Sequence, residues 1–403
     1  MVNVSHYRCC GCSACATICP KQAIIMREDT YGYIFPNVDL EKCINCGLCD
    51  KICPELSILE LNEPKAVYAS VSREKSEHAT YASGGAATVF ARHIIRHGGV
   101  VYGCAQQNCR TIGHIRINDE RDVALLKGSK YVQSETVGIY AAVKKDLQAG
   151  VTVLFIGTPC QAAALRSYLQ KDYDNLITID LVCHGVPSQR MLRDAVEPYL
   201  NNIKTSYENI FVNFRWKTQY GIQFGIQFGN KAEILKSYPK FREPYMTAFA
   251  QRLSYRESCY QCPYANPKRV GDITLGDFWG LGNKLPSAMN CNTGVSLVMV
   301  NTLHGEELWA ATSYLFDIEE RTKDEAIKFN DCLKYPTVRP AQRDLFLDTY
   351  QRQGIFKASA KCNRRYKFES MLIVRFVRSV PAFEQSAKYC IGLIRKMRNA
   401  IKS

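Results

Sequence analysis

Apolar runs at strand spacing take turns with apolar runs at helical spacing along the middle of the chain. Ala66–Ser72 reads as a strand, Ala86 to Arg96 as a helix closed by Gly98-Gly99, and Val100–Gly103 and Gly113–Ile117 as further strands. A helix over about Val137–Leu147 stops at Gly150, and strand Val151–Ile156 turns through Gly157-Thr158-Pro159 into a helix over Gln161–Leu169. Strand Leu176–Val182 then runs into Cys183-His184-Gly185. Beyond it Ile210–Trp216, Ile222–Phe228 and Glu233–Tyr238 read as antiparallel strands with a Gly229-Asn230 turn. The expected class is therefore α+β, with a mixed α/β body rather than a pure doubly wound sheet. Four parts are expected: a cysteine-rich module at 1–60, a body in two portions at 61–150 and 151–330, and a basic helical tail at 331–403.

The first part is an internal repeat. Cys9-x2-Cys12-x2-Cys15-x3-Cys19-Pro20 recurs as Cys43-x2-Cys46-x2-Cys49-x3-Cys53-Pro54, with short strands expected at Ala23–Met26 and Tyr31–Pro36 between the two runs. This is the bacterial dicluster ferredoxin pattern, in which three closely spaced thiolates take one corner of a cubane and the fourth reaches the cluster of the other repeat. Cys9, Cys12, Cys15 and Cys53 are expected on one 4Fe-4S cluster, and Cys43, Cys46, Cys49 and Cys19 on the second. Structural zinc also uses C-x2-C units, but two three-cysteine runs each closed by Cys-Pro are not a zinc pattern. Cys10 falls outside the spacing and has no assigned role.

Composition reinforces the metal reading. Nine of the 19 cysteines lie in the first 53 residues, in a chain with no export-like leader. A reducing cytoplasmic compartment, where thiols serve metals or redox chemistry rather than disulfides, is the expectation. No apolar run approaches the ~18 residues of a membrane span. The net charge of +14 is lopsided: residues 352–403 hold 13 Lys or Arg against Glu369 and Glu384, a local charge of +11. The near-neutral body argues against a nucleic-acid partner. In 367–403, cations interleaved with apolar residues fit the anionic inner face of a membrane or, equally, a docked helix.

No Gly-x-Gly-x-x-Gly follows a strand and no Gly-x4-Gly-Lys-Ser/Thr occurs. Two weaker anion signals remain. Ser83-Gly84-Gly85 opens a helix, and Lys127-Gly128-Ser129-Lys130-Tyr131 places two ammonium groups around a glycine; the plain alternatives are a glycine helix entry and a solvated basic loop. Thr158 as N-cap and Pro159 at the first helical position put Cys160 in a first helical turn, where the dipole favours a thiolate. With Cys183, Cys259 and Cys262 it makes a four-thiol set for a third cluster. A zinc site, or a Cys160 nucleophile supported by His184, are the competing readings.

With these motifs in place, and with Gly271-Asp272-Ile273-Thr274-Leu275-Gly276-Asp277-Phe278-Trp279-Gly280 downstream, the chain resembles the coenzyme F420 hydrogenase/dehydrogenase beta-subunit family, with a dicluster ferredoxin domain fused in front. The resemblance implies an iron-sulfur flavoprotein oxidoreductase binding FAD beside a 4Fe-4S cluster. Ser83, Gly84, Gly85, Lys127, Ser129, Lys130 and Tyr131 become candidates for the FAD phosphates and ribose. Thr158 and Gln161 become candidates for the isoalloxazine, and Gly157 for the cofactor site beside them. His184 and Asp277 are the residues to examine for proton delivery. The resemblance also implies a small-molecule substrate, possible work in a cell-surface polysaccharide pathway, and a ferredoxin or other redox protein as donor. A homo-oligomer is expected. The runner-up is a non-catalytic subunit that relays electrons to a separate catalytic partner.

Overall fold

The computed structural model describes residues 2–57, 59–201, 209–219, 221–230, 234–240 and 243–363. Strands β1 (Ile24–Glu28) and β2 (Ile34–Val38) form an antiparallel hairpin between the two cysteine runs. The body strands are β3 (Ala66–Ser72), β4 (Val100–Asn108), β5 (Thr111–Ile117), β6 (Val153–Gly157), β7 (Leu176–Leu181), β8 (Phe211–Thr218), β9 (Gly221–Gly229), β10 (Ile234–Pro239), β11 (Ile273–Asp277), β12 (Ser296–Val300) and β13 (Phe316–Arg321). Eight of them make one mixed sheet in the order β13-β3-β12-β11-β7-β6-β4-β5, and β10-β9-β8 make a separate antiparallel sheet. The large sheet draws strands from both 61–150 and 151–330.

Pairing fixes the direction of each strand. β4 runs parallel to β6, β6 to β7 and β7 to β11. β12 is antiparallel to both β11 and β3, so β3 also runs with this set. Five carboxyl ends therefore open on one edge of the sheet, the place where open α/β sheets bind ligands.

Strand alternation sorts the core. Val101, Leu154, Ile179 and Val298 meet Phe90 and Ile94 of the helix Ala86–Arg96 and Leu308 and Trp309 of the helix Leu303–Thr312. On the opposite face Val100, Tyr102, Val153 and Phe155 meet Tyr140, Val143 and Leu165 of helices Ile139–Gln148 and Pro159–Leu169. Cys10, Cys12, Ala14 and Ile52 join that second cluster, so the cysteine-rich module is built onto the body. The antiparallel sheet packs with helices Gln189–Leu200, Pro244–Ala250 and Arg343–Cys362. Phe346, Tyr350 and Ile355 of the last are buried there, so the early part of the expected tail belongs to this core. The basic stretch 367–403 lies outside the described residues. None of the described helices is long and apolar enough to cross a membrane.

Candidate functional site

The second cysteine run forms the outer end of the module. Cys43, Cys46 and Cys49 line a small, open pocket with Cys19, Ile24, Val38 and Ile44. Those four cysteines are the set that the crossed-ligand pattern assigns to one cubane. Cys46 is exposed, whereas Cys9, Cys12 and Cys53 of the other set are buried.

The inner set is gripped by the body. The buried Arg256 guanidinium donates to the Cys9 carbonyl and, at 2.7 Å, to that of Ile34. Gln133 donates to the carbonyls of Cys10 (3.0 Å) and Gly11 (3.2 Å), and Thr136 to that of Cys12 at 2.7 Å. Gly11 has φ +66, and a Cβ there would fall 2.7 Å from an Arg256 nitrogen, so the close approach requires glycine. Burial first, then the charges of Cys9 and Cys53, push the Cys15 thiol up to about 12. Against a lowering hydrogen bond from Cys10, burial and the charges of Cys15 and Cys9 raise Cys12 as well.

The four downstream cysteines converge likewise. Thr158 and Gln161 form a capping box at the start of the helix Pro159–Leu169, and the Thr158 hydroxyl lies 3.2 Å from the Cys160 sulfur. Cys183 follows β7, while Cys259 and Cys262 come from the turn before β11. Burial, then Cys259 and Cys160, raise the Cys183 thiol; burial, then Cys160 and Cys259, raise Cys262. Half-buried thiols that push one another up resist ionising together unaided, and iron would supply the compensating charge that makes each a thiolate. The donor set therefore fits a cluster. Among the described residues no group of His, Cys, Asp or Glu converges on a single metal ion; a cubane instead asks for four sulfurs, each on its own iron.

Cys10 links the two regions. It is buried in the cluster that holds Cys12, and Cys160 packs against that cluster. Two buried ionic constructions hold the turns. Asp180, on β7, pairs with Arg269 at 2.9 Å and accepts from the backbone N–H groups of Val270 and Gly271. Asp272 pairs with Arg166 at 2.9 Å and accepts from Thr178 and Thr302.

The remaining candidates lie at the same carboxyl edge but differ in what occupies them. Gly84 is required by the sheet, since a Cβ there would fall 2.2 Å from the Ser70 carbonyl oxygen. Gly85 has φ +94 against the Tyr81 ring. Lys127 pairs with Glu77 at 3.0 Å. The Lys130 ammonium donates to the carbonyls of Leu125, Leu126 and Lys127, at 3.3, 2.9 and 2.8 Å, closing the short helix Val123–Leu126; burial holds it down at about 8. The Tyr131 ring, two positions after Ser129, stacks on Phe249 at 4.7 Å. Gln161 donates to the Ser134 carbonyl, and Gly157 packs on Phe155. Asp277 takes a bidentate grip from Arg215 at 2.6 and 2.7 Å. His184 Nδ1 faces the Cys332 sulfur at 3.3 Å, and burial followed by the Arg252 charge holds the imidazole below its ordinary value. Ser83 retains an unpartnered buried hydroxyl.

Sequence reasoning passed over Arg256, Gln133, Arg215 and Lys217. Arg215 and Lys217 alternate on one face of β8, a pattern visible in the sequence without a partner to give it meaning.

A ferredoxin-type cysteine module whose inner run abuts further cysteines at the open edge of a mixed sheet defines an iron-sulfur electron-transfer protein of the oxidoreductase class. Residues 8–56 match the 4Fe-4S dicluster domain, and residues 150–325 match the C-terminal family of the coenzyme F420 hydrogenase/dehydrogenase beta subunit. Over residues 150–325 the chain is similar to that beta-subunit family, and the match over 8–56 supports 4Fe-4S clusters in the leading domain. A chain of the F420-reducing [NiFe] hydrogenase complex from Methanosarcina barkeri, solved with xenon, is similar over 76% of this chain and 94% of that one, at 17% identity and a TM-score of 0.44. No curated protein matches.

Proposed function

We propose that this protein is an iron-sulfur flavoprotein oxidoreductase with a third 4Fe-4S cluster on Cys160, Cys183, Cys259 and Cys262 and FAD at the adjoining sheet edge. When bound, the clusters supply one-electron transfer and the flavin couples it to two-electron chemistry on a small-molecule substrate. The observation that carries this reading is that cysteines of the leading module meet cysteines of the body. Cys10 and Cys12 share one buried cluster against which Cys160 and Cys262 pack, while Cys43, Cys46 and Cys49 line the outer pocket. The chain's own residues hold the inner run in place: Arg256, Gln133 and Thr136 bond to its carbonyls. Arg215 orients Asp277 toward the same edge, whereas His184, turned to Cys332, is less suited to proton delivery.

Anaerobically purified protein is expected to hold about twelve irons and one FAD per chain. Cys160→Ser should lose about four irons and keep the other eight; full iron retention would end the third-cluster assignment. Reoxidation of the reduced protein by candidate small molecules without a partner supports an enzyme, and reoxidation only by a second protein supports a relay role. The cell-surface polysaccharide pathway remains the setting proposed for its substrate.

A further inference from the structure

Among the described residues, the carboxyl edge holds a cation that forms no ion pair. Arg215 is committed to Asp277 and Lys127 to Glu77, while Lys130 is spent on three carbonyls. Lys217 donates at 2.7 Å to the carbonyl oxygen of Ser83 and lies 5.9 Å from the Tyr81 ring centre. Among the described residues no carboxylate ion-pairs with it. Burial, then the Arg215 charge, hold the amine down at about 8.

The Asp277 charge relieves it only in part, since Asp277 is already gripped by Arg215. The eleven-residue helix Ala86–Arg96 begins at Gly85 with no side-chain cap, so the positive end of its dipole is left for a ligand. The Ser83 hydroxyl is buried without a partner. Arg215, whose side chain is 3% exposed, likewise has an unpartnered buried Nε. Gly294 packs beside it: a Cβ there would fall 3.2 Å from Ser83 Oγ and 2.9 Å from Ile222 Cδ1, so this position requires glycine. A desolvated ammonium, an orphan hydroxyl and an uncapped helix start are unfavourable together unless an anion joins them.

We propose that Lys217 and the Ser83 hydroxyl form the anion subsite of this edge, and that it takes the pyrophosphate of a dinucleotide flavin. The identity of the ligand rests on the FAD reading above; the subsite itself does not. Lys217 thus replaces Lys127 and Lys130 as the principal phosphate-binding cation.

The test uses the full chain depleted of flavin, titrated anaerobically with FAD, riboflavin and inorganic pyrophosphate and followed by calorimetry and flavin fluorescence. Lys217→Met should weaken FAD binding roughly ten- to a hundredfold, the range of one charge-assisted contact. It should leave riboflavin binding and iron content unchanged, and Lys217→Arg should recover most of the loss. Ser83→Ala should cost roughly three- to tenfold. Wild-type protein that ignores flavins but binds pyrophosphate through Lys217 would keep the subsite and move its ligand to a phosphorylated substrate. Equal binding of FAD and pyrophosphate by wild type and Lys217→Met, or no binding of either by wild type, overturns the proposal.

Discussion

Replacing Arg269 with Met isolates the buried ion pair beneath the downstream cysteines. The side chains of Arg269 and Asp180 are 1% and 0% exposed, 2.9 Å apart. Without the guanidinium, Asp180 keeps its bonds from Val270 and Gly271 but loses its charge partner, while the carbonyls of Tyr264, Asn266 and Leu181 lose a donor. An uncompensated buried charge of this kind costs about 3–5 kcal/mol, or on the order of 10 °C in melting temperature. The loss is local first, because Arg269 anchors the turn that follows Cys262 and Asp180 lies shortly before Cys183. Iron assays on the Arg269→Met variant should find about four irons gone while eight remain. A double variant, Arg269→Met with Asp180→Leu, removes both charges and should regain most of the stability, since apolar replacements of buried pairs are often neutral. The reasoning fails if the single variant melts within about 2 °C of wild type, or if the double variant is no more stable than the single.

Other expectations follow from particular residues. Chelation of the reduced protein should be biphasic, with the iron on the exposed Cys46 side released first; Cys46→Ser should abolish the fast phase, and a single phase in wild type would contradict the assigned exposure. Gly11→Ala should detach the inner run from Arg256 and Gln133, costing about 2 kcal/mol or more; unchanged melting and iron content would show that the approach is not tight. Burial of Glu243, despite its bonds from Met246 and Tyr245, pushes its carboxyl up to about 7. Folding thus favours its protonated form: the stabilisation is complete below about pH 4.5 and is lost as pH rises through about 7, a change of about 3 kcal/mol. Glu243→Gln should flatten the fall in melting temperature between pH 5 and 8, and identical profiles for the two proteins would refute the assignment.

What was legible in the sequence is what is local. Cluster ligands recur at gaps of two and three residues, so the leading module could be read directly. Thr158, Pro159 and Gln161 announce a helix start, and Cys160 follows in its first turn. The strands β3 to β10 came within a few residues of their observed bounds because their apolar periods are uninterrupted. Sheet order was not legible: β12 inserts between β11 and β3, a pairing no local pattern specifies. The fold nevertheless brings Ser83, Cys160, Cys183 and Asp277 to one edge, since each follows or ends a strand running the same way.

Side-chain roles show the complementary failure. A lysine in a basic, glycine-containing loop reads as an anion grip, yet Lys130 is consumed by three carbonyls of its own loop. Lys217, on a strand with no local signal, reaches Ser83 across 134 positions, and Arg256 reaches Cys9 across 247. Charge is visible in a sequence; whether it is already neutralised is a property of the fold. Cys10 makes the same point for sulfur. Cluster spacing leaves it idle, but docking of the module against the helix Pro159–Leu169 buries it in one cluster with Cys12, with Cys160 packed against it. The residue without a ligand role thereby becomes one of the contacts through which the leading module meets the body.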